Sequence, residues 1–278
     1  MKCYACSATI PEGKQRCPAC SSYQFTTVVA NKQEKKGDGV TVLLSEIDDQ
    51  EIIRIKTGPW DYCFGGNGIP LSSVTLIGGM PGAGKSTIAL QISDCLSQTT
   101  QREVLYIGTE QRPKELRAYA VRLKVNNMNK IRILSTMTGD EGIGQINEIL
   151  DKYKPSAIMV DSLSGFTDDT KAQIQVCKVF KEFACRCDCP VLIIDHITKS
   201  NDFAGLMALQ HEVDILLTLY IEEGGERTLQ TLKSRFGPSY IQTALKMTET
   251  GLIADPDRQE QISQSHTHDK EENEEEDE

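Results

Sequence analysis

No apolar run in this sequence approaches the ~20 residues that a membrane-crossing helix needs. The opening residues, Met1-Lys2-Cys3-Tyr4-Ala5-Cys6, lack the apolar stretch of a signal peptide. A soluble, cytoplasmic protein with no membrane partner is the expectation. Positive charge is in deficit: 30 Lys and Arg face 40 Asp and Glu, for a net charge of −10. Such a balance opposes nucleic acid as a partner, but it is uneven. Residues 269–278 hold eight acids and one lysine, net −7, so the remaining 268 residues sum to −3. A local basic groove is therefore compatible with the composition. Histidine is scarce, with 4 in 278 residues. No internal repeat is present.

What the sequence does hold is a 39% hydrophobic composition, enough for one sizeable domain with small additions. Its most specific stretch is Gly79-Met80-Pro81-Gly82-Ala83-Gly84-Lys85-Ser86, which fits the phosphate-binding loop G-x-x-x-x-G-K-[ST]. Val74-Thr75-Leu76-Ile77 before it reads as a buried strand. The residues from Thr87 to Ile92 follow with helical spacing. Strand, glycine loop and helix are the context this motif requires. The glycines turn backbone N–H groups inward around phosphates, and the helix N-terminus adds its positive end. Gly79 through Thr87 is thus the candidate ATP-binding stretch. Lys85 is expected at the β- and γ-phosphates and Ser86 at Mg²⁺.

Ten cysteines beside a nucleotide-binding loop argue for reduced thiols and metal ligation rather than a disulfide scaffold. Within 1–23, Cys3-x2-Cys6 and Cys17-x2-Cys20 are two knuckles that can close one tetrahedral Zn²⁺ site. So short a segment has no core of its own, and the metal would hold it together. Four protein ligands leave no open position, which points to structure, not catalysis. Residues 24–52 read as a polar, glycine-punctuated linker. From 53 to 254, continuous apolar strands alternate with helices, among them Gly144–Tyr153 and Ala172–Ala184, and a late strand spans Arg227–Lys233. The pattern predicts an α/β domain with a mostly parallel sheet buried on both faces. From Asp214 onward the texture changes to strands joined by hairpins at the sheet's far edge. Residues 255–278 read as a disordered acidic tail.

Strand ends carry the remaining candidates. Asp161 closes the run Ala157-Ile158-Met159-Val160, the expected place of a Walker-B carboxylate for Mg²⁺. Glu110 follows the strand Val104–Gly108, taken as the neighbour of the loop's own strand. It is a candidate to orient or deprotonate the attacking water; the spacing alone fits a surface-loop carboxylate as well. His196 follows Ile193-Ile194-Asp195, where a γ-phosphate sensor would sit; a satisfied structural histidine fits too. His211, His266 and His268 are read as bland. Cys185, Cys187 and Cys189 lie at a helix-to-strand corner and are read as structural. Lys233 and Arg235 stand one residue apart on a late strand and share a face. They suit phosphates, those of a neighbouring subunit included, and equally a solvated strand end.

Taken together these residues resemble the bacterial RadA/Sms family of recombination ATPases, of the RecA/DnaB class. The resemblance runs from Cys3 to about Ala254. Its specific elements are the four-cysteine ribbon, the loop at 78–87, Glu110 with Arg117-Ala118 and Arg122-Leu123, Asp161-Ser162, His196-Ile197-Thr198-Lys199, and Lys233-Ser234-Arg235-Phe236-Gly237. The last matches a Lys-Asn-Arg-Phe-Gly signature with Ser for Asn. The resemblance implies a RecA-like core in hexameric rings. It further implies ATP hydrolysis coupled to single-stranded or branched DNA, with a recombinase as partner. By it, Glu110 is the catalytic carboxylate, residues 163–171 and 198–206 face DNA, and Lys233 and Arg235 act in trans. The family continues into a Lon-protease-like domain where this chain has its acidic stretch. The other function class is a KaiC-like regulatory ATPase that signals to proteins without moving on DNA.

Overall fold

The computed structural model describes residues 52–65, 68–135, 146, 148–150, 152–167, 169–196, 209–260 and 262. Nearly all of them belong to one unit, Arg54–Glu278. The cysteines of the expected zinc ribbon, residues 24–51 of the expected linker, and His266 and His268 lie outside the described residues.

Continuous apolar runs become fully buried strands. These are β3 (Val74–Gly79), β4 (Val104–Gly108), β6 (Ala157–Asp161) and β7 (Val191–Ile194). A short antiparallel pair precedes them, β1 (Arg54–Ile55) with β2 (Ile69–Pro70). The edge strand β5 (Ile131–Ser135) is only half-buried. The later strands are β8 (Ile215–Ile221), β9 (Arg227–Ser234), β10 (Gln242–Thr248) and β11 (Gly251–Ala254). They join one nine-stranded sheet in the order β11-β10-β9-β8-β3-β7-β6-β4-β5. From β8 to β5 the strands run parallel, and from β8 to β11 antiparallel hairpins extend the sheet. The expected α/β, mostly parallel architecture is therefore present.

Helices cover both faces because alternate strand residues point to opposite sides. On one face Ile77, Tyr106, Met159 and Leu192 pack against α1 (Lys85–Thr100) and α2 (Pro113–Arg122). On the other, Leu76, Ile107, Val160 and Ile193 meet α3 (Thr170–Cys187) together with Ile146 and Leu150. Asp169 caps α3 by accepting the Ala172 N–H at 2.8 Å. Of the helix expected from Gly144 to Tyr153, residues 146, 148–150 and 152–153 are described, and they are helical.

Two expectations are corrected. Strand β4 does not neighbour the P-loop strand β3; β7 and β6 stand between them. The acidic tail does not begin at 255, because residues 256–260 form a helical turn on the domain. Gln259 accepts from the Ala244 N–H at 2.8 Å, and Arg258 donates to the Arg227 carbonyl at 2.9 Å. Polar groups of the sheet edge and hairpin hold this turn in place, which charge counting does not reveal.

Phe180 of α3 is fully buried and meets Phe166 and Phe183 edge-to-face, at centroid distances of 6.1 and 5.8 Å. Phe166 belongs to the turn after β6, so this cluster anchors a site loop to the core. Phe180→Ala is expected to lower unfolding free energy by about 3–5 kcal/mol. Chemical denaturation of the variant checks it, and a loss below ~1 kcal/mol would contradict this packing.

Candidate nucleotide-binding and hydrolysis site

The P-loop begins where β3 ends. Gly79 lies against β8, where a Cβ would stand 2.7 Å from the Leu219 carbonyl oxygen. Gly84 has φ of 111°, and a Cβ there would meet Met247 at 2.8 Å. Both positions therefore require glycine. The loop closes through the Ala83 N–H to the Met80 carbonyl at 3.1 Å. Helix α1 then starts at Lys85 with no side-chain cap and no acidic residue in its first turn. Its leading N–H groups thus remain available to an anion.

Lys85 is only 4% exposed and donates to the carbonyls of Gly79 at 2.7 Å and Met80 at 3.0 Å. Burial lowers its pKa, while Asp161, Asp195 and Glu110 pull it back up. Asp161, at the end of β6, is 6% exposed. It accepts from the Tyr106 hydroxyl at 2.6 Å and from the Ser86 hydroxyl. Burial raises its pKa; those two hydrogen bonds oppose the rise. A buried carboxylate held this way is short of positive charge, and the Ser86 hydroxyl lies against it. The donor set fits Mg²⁺ carried by a nucleotide.

Glu110 reaches this end of the sheet although β4 is three strands from β3. The parallel registers align Gly108 with Asp161, Asp161 with Ile194, and Ile194 with Ile77. The strands therefore end at one level, and Glu110 sits two residues past Gly108. Its carboxylate accepts from the Ser162 hydroxyl and lies 3.4 Å from His196 Nε2. His196 follows β7, and its backbone N–H donates to Asp195 at 2.9 Å. Its buried Nδ1 has no hydrogen-bond partner among the described residues.

A cavity of about 670 Å³ opens over the loop. Gly82, Gly84, Lys85, Ser86, Thr87 and His196 line it. Tyr119 and Arg122 of α2, Arg227 of β9, and Met247 and Thr248 of β10 also line it. Tyr119 and Arg227 escape a reading of the sequence. The Tyr119 hydroxyl bonds the Thr87 hydroxyl, and the Arg122 guanidinium stacks 4.6 Å above its ring. Thr87 therefore turns its side chain toward α2 and leaves its backbone to an anion. Arg227 Nε donates to the Ala83 carbonyl at 3.1 Å. It is the first residue of an expected strand, and nothing local marks it as facing the loop.

Lys233 and Arg235 lie elsewhere. They stand at the end of β9 opposite Arg227, roughly 20 Å away at ~3.3 Å per residue. They are beyond reach of their own P-loop. Both face the turn before β8, as their spacing predicts. Lys233 Nζ donates to the carbonyls of Gln210 and Val213, the latter at 2.9 Å. Arg235 donates to Asp214 at 2.9 Å, and Lys181 meets the same oxygen at 3.1 Å. Asp214 also accepts the Val74 N–H at 3.0 Å.

Lys171, expected in a DNA-facing loop, lies inside α3, so that loop ends at Asp169. Lys199 and residues 198–206 lie outside the described residues. Cys189 is buried, with Cys187 hydrogen-bonded to it, at the corner between α3 and β7. Among the described residues, no three His, Cys, Asp or Glu side chains cluster to hold a metal ion.

Comparison with known proteins accords with this geometry. The DNA repair protein RadA of Bacillus subtilis is 31% identical over 276 residues, covering 90% of this chain and 58% of its own. The Escherichia coli RadA is 30% identical, covering 90% and 58%, and the Aquifex aeolicus RadA 28%, covering 92% and 59%. The chain thus spans less than two thirds of these relatives' length. A KaiC-like protein from Pyrococcus horikoshii has the same fold, with a TM-score of 0.65 at 16% identity over 74% of this chain and all of its own. Residues 53–251 match the family model described as the ATPase KaiC, and by that match the chain belongs to the KaiC ATPase family.

Proposed function

We propose that this chain is a RadA-like ring ATPase that hydrolyses ATP while acting on single-stranded or branched DNA in repair and recombination, with a recombinase as partner. One observation carries the hydrolytic part. Lys85, Ser86 and His196 line one cavity; Asp161 of β6 accepts from Ser86, and Glu110 of the turn after β4 lies 3.4 Å from His196. The RadA relatives, aligned over 90% of this chain, support the DNA part.

Lys85 exchanges its two loop carbonyls for terminal phosphate oxygens. The backbone from Gly79 to Thr87 cradles the remaining phosphates, and the base lies toward Tyr119, Arg122 and Met247. Bound Mg²⁺, held by Ser86 and Asp161, supplies the charge that neutralises the β- and γ-phosphates. Glu110 orients the attacking water and accepts its proton. His196, beside Glu110, reports on the γ-phosphate. Glu110→Gln is expected to bind ATP as the parent does while hydrolysis falls at least ~10²-fold. In the parent, single-stranded DNA should raise the ATPase rate. Normal hydrolysis by the Gln variant would remove Glu110 from the chemistry. A DNA-independent rate with no DNA binding would leave a regulatory ATPase.

Lys233 and Arg235 serve a neighbour's nucleotide in a hexameric ring. Their distance from their own P-loop supports this reading, as does the match to the family signature. Lys85→Ala and Arg235→Ala proteins should each be inactive alone, with Arg235→Ala losing roughly 10³-fold or more. Mixed, they should regain part of the rate, because some interfaces pair an intact loop with an intact finger. Confirmed mixed assembly without regained activity would rule out action in trans.

Cys3, Cys6, Cys17 and Cys20 hold one structural Zn²⁺ on the reading of their spacing. Elemental analysis of chelator-free protein should find one zinc per chain. The variant with all four replaced by serine should contain none and keep its basal ATPase rate, since a linker separates ribbon and core. A zinc-free parent would contradict the assignment.

A further inference from the structure

The Glu110 carboxylate is half-exposed, with 47% of its side chain open to solvent. A carboxylate so open has free rotamers, yet a water-orienting group must hold its geometry closely. Polar contacts from two other strand ends restrain it. Ser162, fully buried after β6, donates its hydroxyl proton to Glu110. That proton is then committed, so the neighbouring Ser164 hydroxyl, 2.7 Å away, donates to the Ser162 oxygen. The Ser164 backbone N–H donates in turn to the Asp195 carboxylate, which also accepts the His196 N–H at 2.9 Å. His196 Nε2 returns to Glu110 at 3.4 Å. The contacts form a closed circuit joining the ends of β4, β6 and β7.

The turn that presents these serines is itself fixed. Ser162 N–H donates to the Thr109 hydroxyl oxygen at 2.9 Å, and that hydroxyl donates to the Ser162 carbonyl at 3.0 Å. Leu163 N–H donates to the Ile194 carbonyl at 2.7 Å. Gly165 packs so closely on Thr109 that a Cβ would stand 1.9 Å from its hydroxyl oxygen. Phe166, next in the turn, is held by Phe180. A hydroxyl carried on so rigid a turn can set the position of a mobile carboxylate.

We propose that Ser162 and Ser164 are positioning residues for Glu110: the Ser162 hydroxyl, backed by Ser164, holds the carboxylate where it meets the attacking water. This inference rests on the reading of Glu110 as the water-orienting group. Neither serine touches nucleotide in this role. Their removal therefore changes turnover and spares binding. Any ligand that shifts the turn from Ser162 to Phe166 also shifts Glu110, so the circuit is a route by which occupancy of that turn sets the hydrolysis rate.

The test is a double-mutant cycle on the full chain, with steady-state and single-turnover ATP hydrolysis, affinity for a non-hydrolysable ATP analogue, and thermal unfolding as readouts. Ser162→Ala should lower kcat roughly 10- to 100-fold, with KM and analogue affinity unchanged. Ser164→Ala, at a half-exposed position, should lower it in the same direction by less. In the Glu110→Gln background, Ser162→Ala should produce no further loss, because its effect runs through the carboxylate. The cycle requires a Glu110→Gln rate above the enzyme-free background, which single-turnover measurement supplies. Equal fold-losses in both backgrounds would show a merely structural serine and overturn the proposal. So would an unchanged kcat in Ser162→Ala beside an impaired Glu110→Gln. Full activity of Glu110→Gln itself would sink the underlying reading instead, and the two failures are thereby distinct. Should Ser162→Ala fail to fold, Ser164→Ala decides: unchanged turnover there overturns the circuit.

Discussion

Strands β3, β4, β6 and β7 are buried on both faces, and the rest of the molecule follows from that constraint. A strand covered by helices on either side has almost no interior position for a charged group. Polar chemistry is pushed to where each strand leaves the core. In a parallel sheet those exits share one edge, and the registers here bring Ile77, Gly108, Asp161 and Ile194 to one level. The P-loop, Asp161, Glu110 and His196 are four strand exits made into one site. Two uncharged polar side chains lie within these strands, Thr75 and Tyr106, and the Tyr106 hydroxyl is satisfied by Asp161.

The electrostatics of the site follow from the same burial. Lys85 is pressed downward in pKa, and Asp161 and Asp195 upward, each chiefly by loss of water. Among the described residues, no opposite charge forms an ion pair with any of these three groups. The cation rests on two carbonyls of its own loop, and the carboxylates lean on hydroxyl and backbone donors. A triphosphate with its metal brings the missing partners for both signs. The N-terminus of α1, with no side-chain cap, points the same way. Hydrogen-bonded restraint of Glu110 is the complementary feature: it sits in the wetter part of the site, where geometry rather than burial must be enforced.

Phosphate binding was legible because its determinants are local. Eight consecutive residues and the flanking strand and helix specify the P-loop without reference to distant chain. Strands such as Val104–Gly108 and Ala157–Asp161 were readable to the residue, since unbroken apolar runs have sharp ends. Helix ends were less so; α3 extends from Thr170 to Cys187, beyond the Ala172 to Ala184 expected, because capping by Asp169 and a left-handed Asp188 set its limits. The placement of Lys171 inside that helix follows from the same cap.

What the sequence alone determined is the set of strands, the anion-binding loop and the residue types at the strand exits. These depend on apolar runs and on glycine spacing over a few residues. Only the tertiary structure decided the strand order, and with it that β4 lies three places from β3 while Glu110 still meets the site. It likewise decided that Tyr119 and Arg227 line the cavity, that Ser162 holds Glu110, and that Lys233 and Arg235 stand at the far end of β9. Each of these is a pairing between residues distant in the chain. Such pairings are set by which faces bury together, and no local pattern of residues encodes them.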